Sequence, residues 1–277
     1  MKIKICPLLL LLVVSLSINA QVSSPHQLIR TWETDTVLAE PESVVLLKNK
    51  MYVSLVDGQA NDKDGKGGVA IVGLDGKVLN GSWVTGLNGP TGMALWKNRL
   101  YIANIDEVIV IDTATAKIIT TFPVPNAKGL NDVAIDHLGV VYISDPQSGS
   151  IYRILNQELS HYLSGVPGVN GLLTIGNDLY MVTTKQLLRY GADKQLHPLV
   201  NIPKKGADGL TKAADGDFLF TIYTGLVYYL HKNGKTELLL STEGTKTGSA
   251  DIAYDPEHHV LYVPTLFRKS IAAYQLH

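Results

Sequence analysis

Glu42, Asn131, Asn170 and Asp208 stand at one equivalent position of a unit that recurs along this chain, within PES, LND, VNG and ADG. They offer two carboxylates and two side-chain amide oxygens, hard donors with a summed charge of −2. No His or Cys is among them, which disfavours zinc and copper. Calcium takes six to eight oxygens at about 2.3–2.6 Å, so four protein donors leave positions for water and substrate. Magnesium, with its stricter octahedral demand, remains the alternative. A divalent ion with free positions can polarise an ester or phosphoryl oxygen and stabilise the charge that develops there.

The full set at this position is Glu42, Thr91, Asn131, Asn170, Asp208 and Ala250. The residue that follows is Ser43, Gly92, Asp132, Gly171, Gly209 or Asp251. Asp132 sits beside the expected metal position. Thr91, Asp132 and Asp251 are the candidates for contacting substrate. Plain turn chemistry would also account for Asn or Asp followed by Gly. Glu42 is a poor turn former, however, and the hairpin signals lie elsewhere, at Asp75-Gly76, Asp215-Gly216 and Asn233-Gly234.

The elements that must position these groups are seen by stacking the units. PESVVLLKNKMYVS from Pro41 and PTGMALWKNRLYIA from Pro90 share their apolar residues, a Lys-Asn turn and a Tyr. LNDVAIDHLGVVYIS, VNGLLTIGNDLYMV, ADGLTKAADGDFLFT and SADIAYDPEHHVLYVP complete six units, spaced by roughly 38 to 49 residues. Alternating apolar positions between Gly, Asn and Asp turns predict four short antiparallel strands per unit, with no convincing helical period. Repeats of this length and content mark an all-β, six-bladed β-propeller, without the WD or kelch signatures. A blade's first strand lines the central channel, so the six side chains should meet at one mouth of it. From Ser249 only three strands remain, whereas QLIRTWETD from Gln27 has no unit of its own. It should be the outer strand of the sixth blade, closing residues 21–277 into a single ring domain. Tyr52, Tyr101, Tyr142 and Tyr180 recur in register and read as packing between blades.

Residues 1–20 have the layout of a signal peptide: Lys2 and Lys4, an apolar run from Leu8 to Val14, then a small, more polar exit ending at Ala20. The run is shorter than the about 20 residues a membrane span needs. The expectation is an exported protein, periplasmic or secreted, with no membrane span after cleavage; a retained N-terminal anchor is the alternative. Cys6 is the only cysteine, so the mature chain would have no disulfide, thiolate metal site or cysteine nucleophile. No basic stripe carries interleaved aromatics, which argues against nucleic acid and leaves a small molecule as the expected partner. No G-x-S-x-G elbow or phosphate-binding loop is present. DGQANDKDGKGG from Asp57 has the spacing of a calcium loop but no closing Glu, and reads as a solvated lid beside Glu42.

The six units, with Glu42 in PES, Asn131 in LND, Asn170 in VNG and Asp208 in ADG, resemble the regucalcin/gluconolactonase (senescence-marker-protein-like) family of six-bladed propellers. The resemblance covers the whole mature chain. It implies a catalytic calcium on these four residues and hydrolysis of a lactone, ester or organophosphate. It also implies Asp208 as base or nucleophile, with Asp132 positioning substrate or water. Sugar-lactonase members often carry Arg two residues ahead of the position of Asn131; here it is Gly129, which counts against sugar-acid lactones. The competing class is a non-enzymatic binding propeller with a structural calcium, since propellers host both.

Overall fold

The computed structural model describes residues 25–59, 61–214 and 216–277. The expected signal peptide over residues 1–20 lies outside the described residues. β1 (Leu28–Glu33) comes first, ahead of any blade. Blade one is β2 (Pro41–Leu46), β3 (Lys50–Leu55), β4 (Gly67–Gly73) and β5 (Val78–Leu87). Blade two is β6 (Pro90–Trp96), β7 (Arg99–Asn104), β8 (Glu107–Asp112) and β9 (Lys117–Pro123). Blade three is β10 (Val133–Ile135), β11 (Val141–Asp145), β12 (Ser150–Leu155) and β13 (Glu158–Leu163). Blade four is β14 (Leu172–Ile175), β15 (Asp178–Val182), β16 (Gln186–Tyr190) and β17 (Leu196–Asn201). Blade five is β18 (Ala207–Lys212), β19 (Phe218–Ile222), β20 (Leu226–Leu230) and β21 (Thr236–Ser241). Blade six holds β22 (Ala253–Asp255), β23 (Val260–Pro264) and β24 (Ile271–Leu276).

The fourth strand of blade six is β1, as the unpaired QLIRTWETD segment implied. It pairs antiparallel with β24 from Leu28 opposite Leu276 to Glu33 opposite Ala272, with a bulge at Thr31. Gln27 and His277 exchange backbone hydrogen bonds of 3.0 Å just beyond it. The two ends of the described chain therefore zip into one sheet, and the six sheets form a six-bladed β-propeller.

Strand burial follows from the radial arrangement. Middle strands are covered by neighbours on both faces, so they read as continuous apolar runs: every residue of β4, GGVAIVG, is buried. The outermost strand of each sheet touches water, and β9, KIITTFP, is almost wholly exposed. The apolar clusters lie between adjacent blades. Tyr52 of blade one packs with Leu100 and Ile102 of blade two, and Tyr101 of blade two with Val141 and Ile143 of blade three. Met51 and Val53 of blade one meet Tyr262 and Ala273 of blade six, closing the ring. Each fully buried Leu, Ile or Tyr contributes roughly 1.5–3 kcal/mol, so the ring is held chiefly by these contacts between blades.

Candidate functional site

Three of the first strands begin with a bulge. At the heads of β2, β6 and β18 the pairing with the second strand slips, between Pro41 and Val44, Pro90 and Met93, and Ala207 and Leu210. A bulge frees backbone groups and re-aims the side chains it carries. Hydroxyls on the second strands accept from amides at two of these heads and at the equivalent place ahead of β10: Ser43 N–H donates to Ser54 Oγ, Gly209 N–H to Thr221 Oγ1 and Asp132 N–H to Ser144 Oγ, at 2.8–2.9 Å. These buried hydroxyls were not recognisable as site-builders from the sequence, where Ser and Thr in a strand pass as ordinary filler.

At one mouth of the channel lies a cavity of about 620 Å³ lined by Glu42, Thr91, Asn131, Asn170 and Asp208. The five polar members of the equivalent position therefore share one chamber. Glu42 Oε2 and Asn170 Oδ1 are buried and meet no donor among the described residues. Asn170 also hydrogen-bonds Asp208, holding that carboxylate in place. The Thr91 hydroxyl faces the backbone carbonyls of Leu130, at 3.3 Å, and Ala103, at 3.4 Å.

The electrostatics are one-sided. Burial pushes Glu42 well above the usual carboxylate range, and Asp208, Asp251 and Asp132 push it further. Burial and the Asp251 charge raise Asp208 to about 7. Burial raises Asp251 to about 6 against the pull of the Ser43 hydrogen bond, and burial with the Asp251 charge raises Asp132. Among the described residues, no Lys, Arg or His lines the cavity. Ionising these buried carboxylates together is costly without a compensating cation. With two buried oxygens of lining residues left without a donor, the donor set fits a hard divalent ion.

The residue after each ligand faces away from the chamber. Neither Asp132 nor Asp251 lines it. Asp132 accepts from Leu172 N–H at 2.5 Å with Oδ2 and from Val133 N–H at 2.6 Å with Oδ1, clamping blade three to blade four. Asp251 Oδ2 accepts from the Ser43 hydroxyl at 2.7 Å, across the seam between blades six and one. A Cβ at Gly92 would stand 2.5 Å from Asp132 Cα, and one at Gly171 2.1 Å from the Asp208 carbonyl. This second ring thus joins neighbouring blades. Asp132 and Asp251, expected to contact substrate, lie behind the residues that line the chamber and are engaged in these contacts between blades.

The Asp132→Asn protein should accordingly lose stability, because an amide would aim one N–H at a backbone donor. A buried donor left unsatisfied costs about 1–3 kcal/mol, or roughly 2–12 °C in melting temperature for a domain of this size. An unchanged melting temperature would remove the clamp from the description.

Besides Gln59 of the expected lid, the chamber wall holds residues the sequence did not single out: Glu40, Thr184, Tyr223, Leu266 and Phe267. All lie in connections that lead into a first strand or join a second strand to a third. That topological rule, applied in the sequence to residues 57–68 alone, would have found the others. The stretch after β3 is tied to blade one by Val56 N–H to Glu40 O, at 3.2 Å, and Gly58 N–H to Glu40 Oε2, at 2.6 Å. Lys63 pairs with Asp106 of blade two at 2.6 Å, and Gly58 and Gln59 reach the chamber. At Gly129, the first atom of any side chain would meet Gln147 Nε2 at 2.8 Å, so Gln147 fills the place where an Arg would begin.

Replacing residues 57–66 by a four-residue turn is expected to move the melting temperature by less than about 4 °C, since an exposed ion pair contributes about 0–1 kcal/mol. It should change KM among small substrates, because Gly58 and Gln59 leave the wall. Identical KM values across a substrate panel would exclude a lid role.

No protein-family model and no curated protein sequence matches this chain. Solved structures do. Virginiamycin B lyase from Staphylococcus aureus superposes with a TM-score of 0.65 at 14% identity, over 90% of this chain and 99% of that one. A protein proposed to be a gluconolactonase gives 0.64 at 17%, over 91% and 93%. A luciferin-regenerating enzyme gives 0.60 at 14%, over 88% and 94%. The likeness is one of fold. Among the described residues, no helix is long and apolar enough to cross a membrane.

Proposed function

We propose that this chain is an exported, calcium-dependent hydrolase of the gluconolactonase-like class, acting on a lactone, ester or organophosphate at the channel mouth. The observation that carries the reading is the chamber itself: buried Glu42 and Asp208 beside the orphaned Asn170 oxygen, with no basic side chain in the lining. Glu42, Asn131, Asn170 and Asp208 would hold the ion, and a bound calcium supplies Lewis-acid polarisation of the scissile carbonyl or phosphoryl oxygen. That structural neighbours of the same fold include proteins named as enzymes supports this reading.

The chain's own groups supply the rest. Asp208, in its carboxylate form, takes a proton from the attacking water as the new C–O or P–O bond forms. The bond to the leaving group then breaks, and the departing oxygen takes the proton that Asp208 accepted, which returns Asp208 to its carboxylate form. Thr91 lies on the same wall and offers its hydroxyl lone pairs to substrate. Val56, Tyr223, Leu266 and Phe267 make the outer wall apolar, and Phe267 is 59% exposed at the rim. Such a wall favours an aryl or alkyl ester, lactone or phosphotriester over a polyhydroxylated sugar lactone, in line with Gly129 and Gln147 where an Arg would stand.

The test is a screen of purified protein against alkyl and sugar lactones, aryl esters and phosphotriesters, with calcium and with chelator. Turnover of an apolar member that chelator abolishes and calcium restores is the expected result. Calcium binding without turnover of any member would favour the binding-propeller reading. Export is checked by N-terminal sequencing of the protein recovered outside the cytoplasm, expected to begin at Gln21.

A further inference from the structure

Far from the channel mouth, His26, His231 and Glu237 bring one ligand atom each to within 4.8 Å of one another. His26 lies two residues ahead of β1, His231 follows β20, and Glu237 lies in β21. The cluster therefore spans the outer edges of blades five and six, where the closing strand meets the body of the ring. Glu237 is only 5% exposed. Its Oε2 lies 3.1 Å from His26 Nδ1 and its Oε1 2.7 Å from His231 Nε2, with Lys235 Nζ 3.4 Å from Oε1.

We infer that His26, His231 and Glu237 form a binding site for a transition-metal ion, zinc by preference, that fastens the closing strand to blade five. Two imidazoles and one carboxylate are a set that zinc accepts, at about 2.0–2.2 Å to each donor, with a fourth position for water. Donors on such an ion stand a little over 3 Å apart, by tetrahedral geometry. The gaps of 3.1 and 2.7 Å run to different oxygens of Glu237 and all three ligand atoms lie within 4.8 Å of one another, so side-chain rotation suffices to bring them onto one ion. Hard calcium, which prefers an all-oxygen shell, would not compete here.

The rings are held in advance. His26 stacks on Tyr229 with ring centroids 4.0 Å apart and 13° between planes. The Tyr229 hydroxyl donates to Asp217 Oδ2 at 2.7 Å. That same oxygen lies 3.9 Å from His231 Nδ1, the ring nitrogen turned away from Glu237. At that distance the carboxylate is no hydrogen-bond partner, but a small shift would bring it behind the imidazole, where a carboxylate commonly supports a zinc histidine. The ion would link His26 to a strand more than two hundred residues away. Terminal strands fray unless tied down, and β1 otherwise pairs with β24 alone.

The experiment uses untagged protein, stripped with chelator and held in saturating calcium so that the channel site is filled. Calorimetric titration with zinc should show one ion per chain. At free zinc a hundred times Kd, the melting temperature should rise by about 5–10 °C. Cobalt(II) should give the intense visible band of four-coordinate geometry. His26→Gln and His231→Gln should weaken zinc binding at least a hundredfold and remove the band, and Asp217→Asn should weaken it about 10–100-fold. Glu42→Gln should leave zinc binding unchanged. If His231→Gln fails to fold, His26→Gln, whose ring sits at the margin of the domain, decides the matter. Zinc binding weaker than about 0.1 mM, or wild-type affinity in His26→Gln, would reduce the cluster to an ion pair and overturn the inference.

Discussion

The Asp208→Asn protein is expected to show no turnover of the best substrate at saturating calcium, a loss of about 10²–10⁴-fold if the carboxylate serves as general base. Its amide oxygen can still face an ion, so high calcium separates lost chemistry from lost binding. A second readout distinguishes this from simple damage. Without calcium above pH 7, Asp208 is one of several buried carboxylates that repel one another, and removing its charge relieves that repulsion. Chelated Asp208→Asn should therefore melt higher than chelated wild type, while calcium stabilises it less. This exchange of stability for activity is common where a site is built from strained charges. A mutant that hydrolyses at the wild-type rate would move the protein to the binding-module class.

Calcium itself should produce the next largest effect, and its size should depend on pH. In the metal-free protein Asp208 titrates near 7 and Asp251 near 6, against an ordinary carboxylate value of 3.8. Between pH 4 and 7 the folded state thus holds more protons than the unfolded chain. Stability of the chelated protein must then fall as pH rises through this window and level off above it. Below pH 4 both states are protonated and the penalty vanishes. Calcium binds the ionised form, so its stabilisation should be small at pH 5 and reach about 5–10 °C above pH 7, at a concentration a hundred times Kd. Glu42→Gln should lose much of that gain. Melting curves with and without chelator from pH 5 to 8 check both signs. A gap between the two curves that does not widen with pH would mean that these carboxylates do not receive the ion.

Most of the ring was legible because a propeller repeats its mistakes as well as its rules. One ambiguous strand is resolved by five equivalent ones, and the unpartnered QLIRTWETD could belong only to the open blade. The chamber residues were legible for a related reason: Glu42 is a poor turn residue, so its place beside Asn131 and Asp208 needed another explanation. What could not be read was the division of labour between neighbours. Asn131 and Asp132 are chemically alike in sequence, but one faces the chamber and the other is bonded to Leu172 and Val133 of the adjoining strands. Deciding that needs tertiary contacts, among them the Ser144 hydroxyl of the next strand, which accepts from the Asp132 N–H. The apolar wall was hidden too, because Tyr223 and Phe267 are loop residues with no equivalent in the other units.

The donors of the chamber come from four blades, one from each, dispersed between residues 42 and 208. No fragment of the chain carries two of them at close range, and no blade can hold the ion alone. Contacts so distant in sequence form late, after the costly closure of long loops. On the proposed reading, a cation held by these four residues would therefore take no part in nucleating the fold, and its uptake would follow the assembly of blades one to five. In a refolding experiment, the onset of calcium uptake should lag behind the recovery of strand content, making the ion a clock for assembly.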